Sequence, residues 1–392
     1  MREIAYLAWC YLSYHRIKTA ILVASIGLIT FLPAGLNVLV SQGAAELTAR
    51  AESTPLLVGA KGSPLELVLS SLYFESETPA PTTLAESERV AQSGLAEPIP
   101  IYVRFQSRSY PIVGTSLEYF DFRGLRVAAG RPMAVLGECV LGAAVARELG
   151  VHPGDSVTSS PEGVFDLAGV YPLKMPIVGV LAPAHTPDDR AIFIDVKTAW
   201  IIEGFGHGHQ DLAAPAAESA VLSREGDRIT ANASVVQYNE ITLENIDTFH
   251  FHGDQAAYPL SAVIAVPHSE KSRALLLGRY QDDDASQLVV PTAVMDELLE
   301  TVLTVREYAV AAVAIAGSAT LMTTALVFLL SLRLRRREIA TMMKIGASRS
   351  TVAAVLISEV VVVLLLGGVL ACGLTLVTSR FGSAAIRALL LL

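Results

Sequence analysis

Three long stretches of the sequence are almost free of charge. They cover residues 21–40, 309–332 and 351–378, and Glu359 is the only charged residue within them. A helix of about 20 apolar residues crosses the roughly 30 Å hydrocarbon core of a bilayer. A helix also suits lipid because it satisfies all of its backbone polar groups internally. The sequence therefore predicts an α-helical membrane protein with three spans.

The composition indicates that the spans are only part of the protein. Hydrophobic residues make up 52% of the 392 residues and charged residues 17%, which is too apolar for an ordinary soluble protein and too polar for one that lies wholly in lipid. Residues 42–306 hold about twice as many acidic as basic side chains. Such an acidic segment argues against a nucleic acid partner. It predicts a large soluble domain between the first two spans.

Basic residues are concentrated in two short flanks of the spans. Residues 1–18 and 333–350 together contain nine lysines or arginines and two glutamates. Basic flanks stay on the cytoplasmic side of a bacterial inner membrane, so the N-terminus is predicted to be cytosolic and the large domain periplasmic. A cleaved signal peptide is the alternative for the first run, although that run is longer than the usual apolar region of about 7–15 residues.

The pattern of residues 42–306 is that of a mixed α/β domain. Strand-like runs alternate with turn signals and short helices, and a second strand and helix pattern begins near Ser261. The predicted fold class is an α-helical membrane protein with a large mixed α/β extracytoplasmic domain, in two subdomains, between the first and second transmembrane helices. The predicted divisions are a cytosolic interfacial helix, 1–18; the first span, 19–41; the α/β domain, 42–306; the second span, 307–332; a cytosolic basic segment, 333–350; the third span, 351–378; and a short tail or incomplete fourth span, 379–392.

The basic segment, 333–350, predicts a short amphipathic helix. Residues that follow one another at i, i+3, i+4 and i+7 give it one apolar face: Ile339, Met342, Met343 and Gly346. Gly346 can supply the left-handed residue that ends a helix, and Ser348 can cap the next one. A short helix with an apolar face is suited to docking against another protein.

The order of these elements, with RRREIATMMKIGAS between the last two spans, resembles that of the FtsX/MacB-type permeases of ABC transporters. The strongest matches are REI at 337–339 and KIGAS at 344–348, followed by Glu359 in the next span. Weaker matches are LAWCYLSYHRIKTAILVASIG near the N-terminus and ECVLGAAVARELGVHPGDSV in the α/β domain. The family usually has four spans per subunit, so the chain departs from it at 379–392.

The resemblance implies a transporter subunit that is not itself an enzyme. Its main partner would be a cytosolic ABC ATPase that binds ATP and magnesium. Two permeases would assemble as a homodimer or heterodimer in membrane lipid, with a periplasmic binding or adaptor protein as a further partner. In the family the cytosolic insert is a coupling helix that contacts the ATPase. The corresponding residues are Arg335, Arg336, Arg337, Glu338, Ile339, Met342, Met343, Lys344, Gly346 and Ala347.

The function implied by the resemblance is export or extraction of a lipid, lipoprotein, peptide or drug-like substrate. Movement of the extracytoplasmic domain would do this work. Two alternatives keep the same architecture. One is a role in metal supply, and the other is an FtsX-like regulator or scaffold for an external protein partner. No ATP-binding loop or nucleophile motif stands out in the sequence, so catalysis is assigned to the partner chain.

Two further groups of residues are candidates for function. Glu359 lies in an apolar span, where a carboxylate either relays protons or pairs with an arginine of the basic segment. His207 and His209 form one His-x-His pair, and His250 and His252 form another. Residues i and i+2 of a strand share a face, and imidazole suits zinc or copper, so these pairs are candidate metal ligands. Scattered surface histidines are the alternative, because the sequence does not tell whether the pairs meet.

Overall fold

The computed structural model describes residues 2–75, 79–160, 172–209, 221–225, 228–231 and 238–390. The chain forms two compact units: Met1–Ala49 with Glu297–Leu392, called the helical unit, and Arg50–Asp296, called the mixed unit. The helices are α1 (Arg2–Tyr14), α2 (Arg16–Glu52), α3 (Pro64–Tyr73), α4 (Leu84–Gln92), α5 (Glu118–Arg123), α6 (Ala143–Leu149), α7 (Val196–Glu203), α8 (Glu270–Tyr280), α9 (Pro291–Leu334), α10 (Arg336–Lys344) and α11 (Arg349–Leu390). The strands are β1 (Leu56–Ala60), β2 (Thr82–Thr83), β3 (Ala96–Ser107), β4 (Tyr110–Thr115), β5 (Val127–Gly130), β6 (Cys139–Leu141), β7 (Ser156–Thr158), β8 (Lys174–Leu181), β9 (Ile192–Asp195), β10 (Gly206–Gly208), β11 (Val221–Glu225), β12 (Arg228–Ala231), β13 (Phe249–Phe251), β14 (Pro259–Leu260), β15 (Ala262–Pro267) and β16 (Ser286–Val289).

Helix α2 is longer than the first span predicted from the sequence. It has 37 residues and continues to Glu52, whereas the predicted span covers 19–41. Residues 42–52 contain several alanines and no proline, so their composition allows the helix to continue. The helix ends shortly before Pro55, which disfavours helical geometry in the residue that precedes it. The mixed unit accordingly begins at Arg50 rather than at residue 42.

The two long helices of the C-terminal part also extend beyond their predicted limits. Helix α9 is continuous over 44 residues, so the predicted second span, 307–332, is joined to the helix that precedes it. Helix α11 continues to Leu390. Residues 379–390, predicted to be a tail or an incomplete fourth span, therefore prolong the helix of the third span. No proline follows Pro291 in the sequence to interrupt either helix.

Two helices within the described residues are long and apolar enough to cross a membrane. They are Arg16–Glu52 and Arg349–Gly382, with mean hydropathies of 2.0 and 2.8 over their most apolar windows. A shorter apolar helical segment covers Val310–Thr323. The first and third predicted spans thus correspond to full-length candidates, and the second corresponds to this shorter segment of α9.

Glycines allow α2 and α11 to approach each other closely in the helical unit. A Cβ atom added at Gly367 would lie 2.7 Å from Cγ2 and 3.0 Å from Cβ of Ile26. One added at Gly27 would lie 2.7 Å from Cδ2 of Leu370. Ile26 and Val363 are buried in the same apolar cluster. Small residues at a helix contact let backbones pack closely, which favours association of helices in lipid.

Replacing Gly367 by leucine is expected to destabilise the helical unit by about 1–3 kcal/mol, the usual cost of overpacking. The added side chain collides with the branched Cβ of Ile26, which cannot move away without the helix. Gly368 provides the matched control, because a Cβ atom there meets nothing within 4 Å. Thermal unfolding of the full chain in detergent should give a lower midpoint for Gly367→Leu than for Gly368→Leu. Equal midpoints would contradict the close contact.

One continuous sheet forms the frame of the mixed unit. Its strand order is β16-β1-β15-β3-β4-β9-β6-β8-β5, and β7 pairs with β8. The pairs β4 with β9 and β6 with β8 are parallel. Strand β3 has 12 residues and pairs with β15 on one side and with β4 on the other. The two subdomains predicted from the sequence therefore share one sheet, because the long β3 joins their strands.

Helix α7 leads from the core of the mixed unit to a small two-stranded ribbon. Trp200 of α7 is buried, and its indole N–H donates to the Pro259 carbonyl at 2.8 Å. The helix is followed by Gly204, whose φ of 96° is the left-handed conformation that favours glycine. The chain then enters β10, which pairs antiparallel with β13. This pair is called the histidine ribbon, because it carries candidate metal ligands.

Candidate functional site

The end of α10 and the start of α11 carry the caps that the sequence predicts. The Gly346 N–H donates to the Met343 carbonyl and the Ala347 N–H donates to the Met342 carbonyl, and Gly346 has a φ of 102°. This is the Schellman arrangement, which requires a left-handed residue and favours glycine. The Ser348 hydroxyl then accepts a backbone N–H from the first turn of α11 at 3.1 Å. Local hydrogen bonds thus fix both the end of α10 and the start of α11.

The apolar face of α10 is accessible to a partner. Met343 is 44% exposed and Ile345, just beyond the helix, is 80% exposed. Ile339 and Met342 are partly exposed, and a groove of about 510 Å³ lies between Ile339 and the last turns of α9. Basic side chains around this face are also exposed: Arg336, Arg337 and Lys344. The helix therefore presents an apolar stripe with a basic rim.

Arg335 differs from the other arginines of the basic segment because it is buried. Its guanidinium donates to Glu359 of α11 at 2.8 Å and to Glu338 of α10 at 3.1 Å, and its central carbon lies 3.5 Å from the centroid of the Tyr11 ring in α1. Arg335 and Glu359 are only 8% and 2% exposed. Glu359 thus pairs with an arginine, in agreement with its structural interpretation. The inclusion of Arg335 among the predicted ATPase contacts needs correction, since its side chain joins three helices instead of facing outward.

A second buried ion pair holds the C-terminal end of α2 within the mixed unit. The Arg50 guanidinium donates to both carboxylate oxygens of Asp188, at 2.5 and 3.0 Å, and to the Tyr119 hydroxyl at 2.6 Å. The hydroxyls of Tyr119 and Thr186 donate to Asp188 at 2.7 and 2.8 Å. Bidentate pairing of this kind fixes the geometry of both partners. No local pattern indicates it, because Arg50 and Asp188 are 138 residues apart.

The charge of this buried pair follows from its surroundings. Burial alone raises the pKa of the Asp188 carboxyl, but Arg50 and the hydrogen bonds from Tyr119 and Thr186 hold that pKa below its usual range. Asp188 is therefore ionised at neutral pH. Removing either member leaves the other as a buried charge without its counterion, which is the costly case for a buried salt bridge.

The histidine ribbon has one face that packs against the apolar core and one accessible face. Together with the residue that follows each strand, its sequences read GHGH from position 206 and FHFH from position 249. Each phenylalanine of one strand lies opposite a glycine of the other. A Cβ atom at Gly208 would lie 2.4 Å from the Phe249 ring, so the missing side chain makes room for the ring. Both phenylalanines pack against the apolar core. Strand alternation then places every histidine on the opposite face.

The four histidines meet on that accessible face. They are called the histidine cluster: His207, His209, His250 and His252. His207 lies directly opposite His250 in the strand register, and the ring centroids of neighbouring members are 4.6–5.7 Å apart. One ligand atom from each of His207, His209 and His250 lies within 4.8 Å of the others. The structure therefore brings together the two pairs that the sequence leaves separate.

Burial favours the neutral form of His207, and a hydrogen bond orients the ring of His250. Nδ1 of His250 lies 3.0 Å from the Thr248 carbonyl oxygen. A carbonyl only accepts, so Nδ1 of His250 carries a proton, and Nε2 is the ring nitrogen left for a ligand. Burial lowers the pKa of His207, and the imidazoles of His250, His252 and His209 lower it further. A neutral imidazole is the form that binds a metal ion.

Two family comparisons cover most of the chain. Residues 34–238 match the MacB-like periplasmic core domain, which is slightly more than half of the sequence. Residues 310–386 match the FtsX-like permease C-terminal domain. The first match includes most of the mixed unit, and the second includes α10 and nearly all of α11. The sequence motifs quoted for α10 therefore lie in the permease part.

Two solved structures show distant similarity to the chain. The periplasmic region of MacB from Actinobacillus actinomycetemcomitans matches at 10% sequence identity with a TM-score of 0.33, over 64% of this chain and 94% of that one. The extracellular domain of the noncanonic ABC-type transporter YknZ from Gram-positive bacteria matches at 14% identity with a TM-score of 0.31, over 60% of this chain and 98% of that one. No curated protein matches the sequence.

Proposed function

The chain belongs to the family of FtsX-like permeases of ABC transporters that carry a MacB-like periplasmic core domain, and from this premise we propose that it couples ATP hydrolysis by a separate cytosolic ATPase to movement of its external domain. ATP and magnesium bind to the partner, and two permease subunits form the complex. The N-terminus is cytosolic, and the mixed unit lies on the periplasmic side of the inner membrane.

The observation that carries this proposal is the accessible apolar face of α10. Exposed Met343 and Ile345 between basic side chains suit a groove on a partner protein. The rim of Arg336, Arg337 and Lys344 would orient the partner through an acidic surface, since charges at a rim act mainly on orientation and association rate. A cytosolic ATPase is the partner that the family implies.

Buried ion pairs supply a route for movement away from α10. Arg335 lies at the N-terminal end of α10 and contacts both Glu359 in α11 and Tyr11 in α1. A displacement of α10 is therefore passed to two other helices through direct contacts. Helix α2, in turn, ends beside Arg50, whose guanidinium is fixed to Asp188 in the mixed unit.

We propose that the substrate is apolar or amphipathic, such as a lipid, lipoprotein, peptide or drug-like molecule, and that it is exported or extracted at the external side. The apolar runs contain few polar residues with which to line a path through the membrane. One structural observation favours a second function. The histidine cluster lies on an accessible face of the mixed unit, as a role in metal supply would require.

Reconstitution with the ATPase tests the transport proposal. The full chain and its ATPase are placed in lipid vesicles, and ATP hydrolysis is measured after addition of lipid, lipoprotein or peptide. Transport predicts that one of these substrates changes the rate of hydrolysis, whereas a regulator of an external partner responds only to that protein. The ATPase without permease is the control. A rate that is independent of the permease would contradict the proposal.

A further inference from the structure

We propose that the histidine cluster binds one divalent transition-metal ion of the class that imidazole suits, with zinc as the test ion. The inference rests on the geometry of the histidine ribbon and is independent of the proposed transport function. It concerns a site on the mixed unit, distant in sequence from the basic segment.

The spacing of the ligand atoms is close to that of a metal site. Zinc binds imidazole nitrogen at about 2.0–2.1 Å in a tetrahedron, so two such nitrogens lie about 3.4 Å apart. Ligand atoms of His207, His209 and His250 already lie within 4.8 Å of one another. These rings are only partly buried or exposed, so small side-chain rotations can close the remaining 1–1.5 Å or so. His252 lies 4.6 Å from His250 between ring centroids and can supply a fourth ligand.

The backbone of the ribbon holds the rings in place. Antiparallel pairing sets His207 opposite His250, and the phenylalanines packed against the apolar core keep the histidine face turned outward. The bond from Nδ1 of His250 to the Thr248 carbonyl leaves Nε2 directed away from the backbone. The second ring nitrogen of a metal-binding histidine commonly donates a hydrogen bond to a carbonyl or carboxylate oxygen in this way, which fixes the ring orientation.

The donor set selects the class of ion. Every candidate ligand in the cluster is an imidazole nitrogen, which suits zinc, copper or nickel. Magnesium and calcium instead prefer oxygen ligands. The nearby carboxylate of Asp254 accepts the Ala256 N–H at 3.0 Å and begins a short helix. Partial exposure of the rings also leaves the site open, so an ion can enter and leave without unfolding of the domain.

Metal binding to the full-length chain tests the inference. The chain is purified in detergent, with Cys10→Ser and Cys372→Ser to remove the exposed thiols. It is treated with a chelator and dialysed against zinc chloride, and bound zinc is counted per chain by mass spectrometry. One zinc per chain is expected, with a dissociation constant of about 1 μM or lower. The double variant His207→Ala, His250→Ala should bind more than about 100-fold more weakly.

Matched variants separate loss of ligands from loss of fold. His152→Ala with His268→Ala removes two histidines outside the cluster and should leave the affinity unchanged. With Trp9→Phe in every variant, fluorescence of the buried Trp200, which packs on Tyr258, reports whether each variant is folded. If the double variant unfolds, the single variants His209→Ala and His252→Ala take its place. Zinc binding weaker than about 10 μM in the parent chain, or unchanged binding in the folded cluster variants, would overturn the proposal.

Discussion

Replacing Asp188 by alanine is expected to lower the free energy of unfolding of the mixed unit by about 3–5 kcal/mol. The change leaves Arg50 buried with its bidentate counterion removed, and the Tyr119 and Thr186 hydroxyls lose their common acceptor. Burial of an unpaired charge is among the largest single effects of a point mutation. The effect should be confined to the mixed unit, where all four residues lie.

Denaturant unfolding followed by tryptophan fluorescence measures this effect. The chain has two tryptophans, so the substitution Trp9→Phe leaves the buried Trp200 as the reporter. Lys174 provides the control, because its pair with Glu240 is 44% and 35% exposed. Lys174→Ala should cost less than about 1 kcal/mol, as exposed ion pairs do. Equal effects of Asp188→Ala and Lys174→Ala would contradict the role of the buried pair.

The same contact predicts how the stability depends on pH. The pKa of Asp188 is lower in the folded than in the unfolded protein, where it is near 4. The pair therefore contributes its full stability above about pH 4 and loses it as the pH falls through the lower, folded value. The difference in unfolding free energy between the wild type and Asp188→Ala should be constant at higher pH and should narrow in acid.

Local chemistry explains which parts of the helical unit could be predicted from the sequence. Gly346 and Ser348 act on neighbouring backbone groups, and both caps are found where the sequence places them. The full lengths of α2 and α11 were not predicted, because hydropathy marks where lipid ends and not where a helix ends. Alanine-rich residues after position 41 and the absence of proline after Pro291 were the available signals.

Nonlocal contacts explain which parts of the fold and of the candidate site could not be predicted from the sequence. The sheet order joins β3 to β15 across 160 or so residues, and Arg50 meets Asp188 from a similar distance along the chain. The histidine pairs are an intermediate case. Their spacing predicts a shared face within each strand, but only the register shows that the strands are partners. The complementary GHGH and FHFH patterns were the missed signal, since each glycine makes room for a phenylalanine ring.

Changing Ile339 and Met343 to aspartate is expected to abolish binding of the ATPase. Both side chains lie on the apolar face of α10, and a charge placed there would be buried in the proposed groove of the partner without a counterion. Helix α10 itself should persist, because its C-terminal cap at Gly346 and the Arg335 contacts remain. The permease should therefore reach the membrane at normal levels.

Co-purification of the ATPase with the affinity-tagged full chain is the measurement that tests the central claim most directly. The variant Leu243→Asp, Leu275→Asp makes the same chemical change at two exposed leucines of the mixed unit and serves as the control. The ATPase should be recovered in equal amount per permease from the wild type and this control, and only at background level from Ile339→Asp, Met343→Asp. Recovery of the ATPase at the wild-type ratio with the α10 variant would contradict the assignment of this helix as the coupling element.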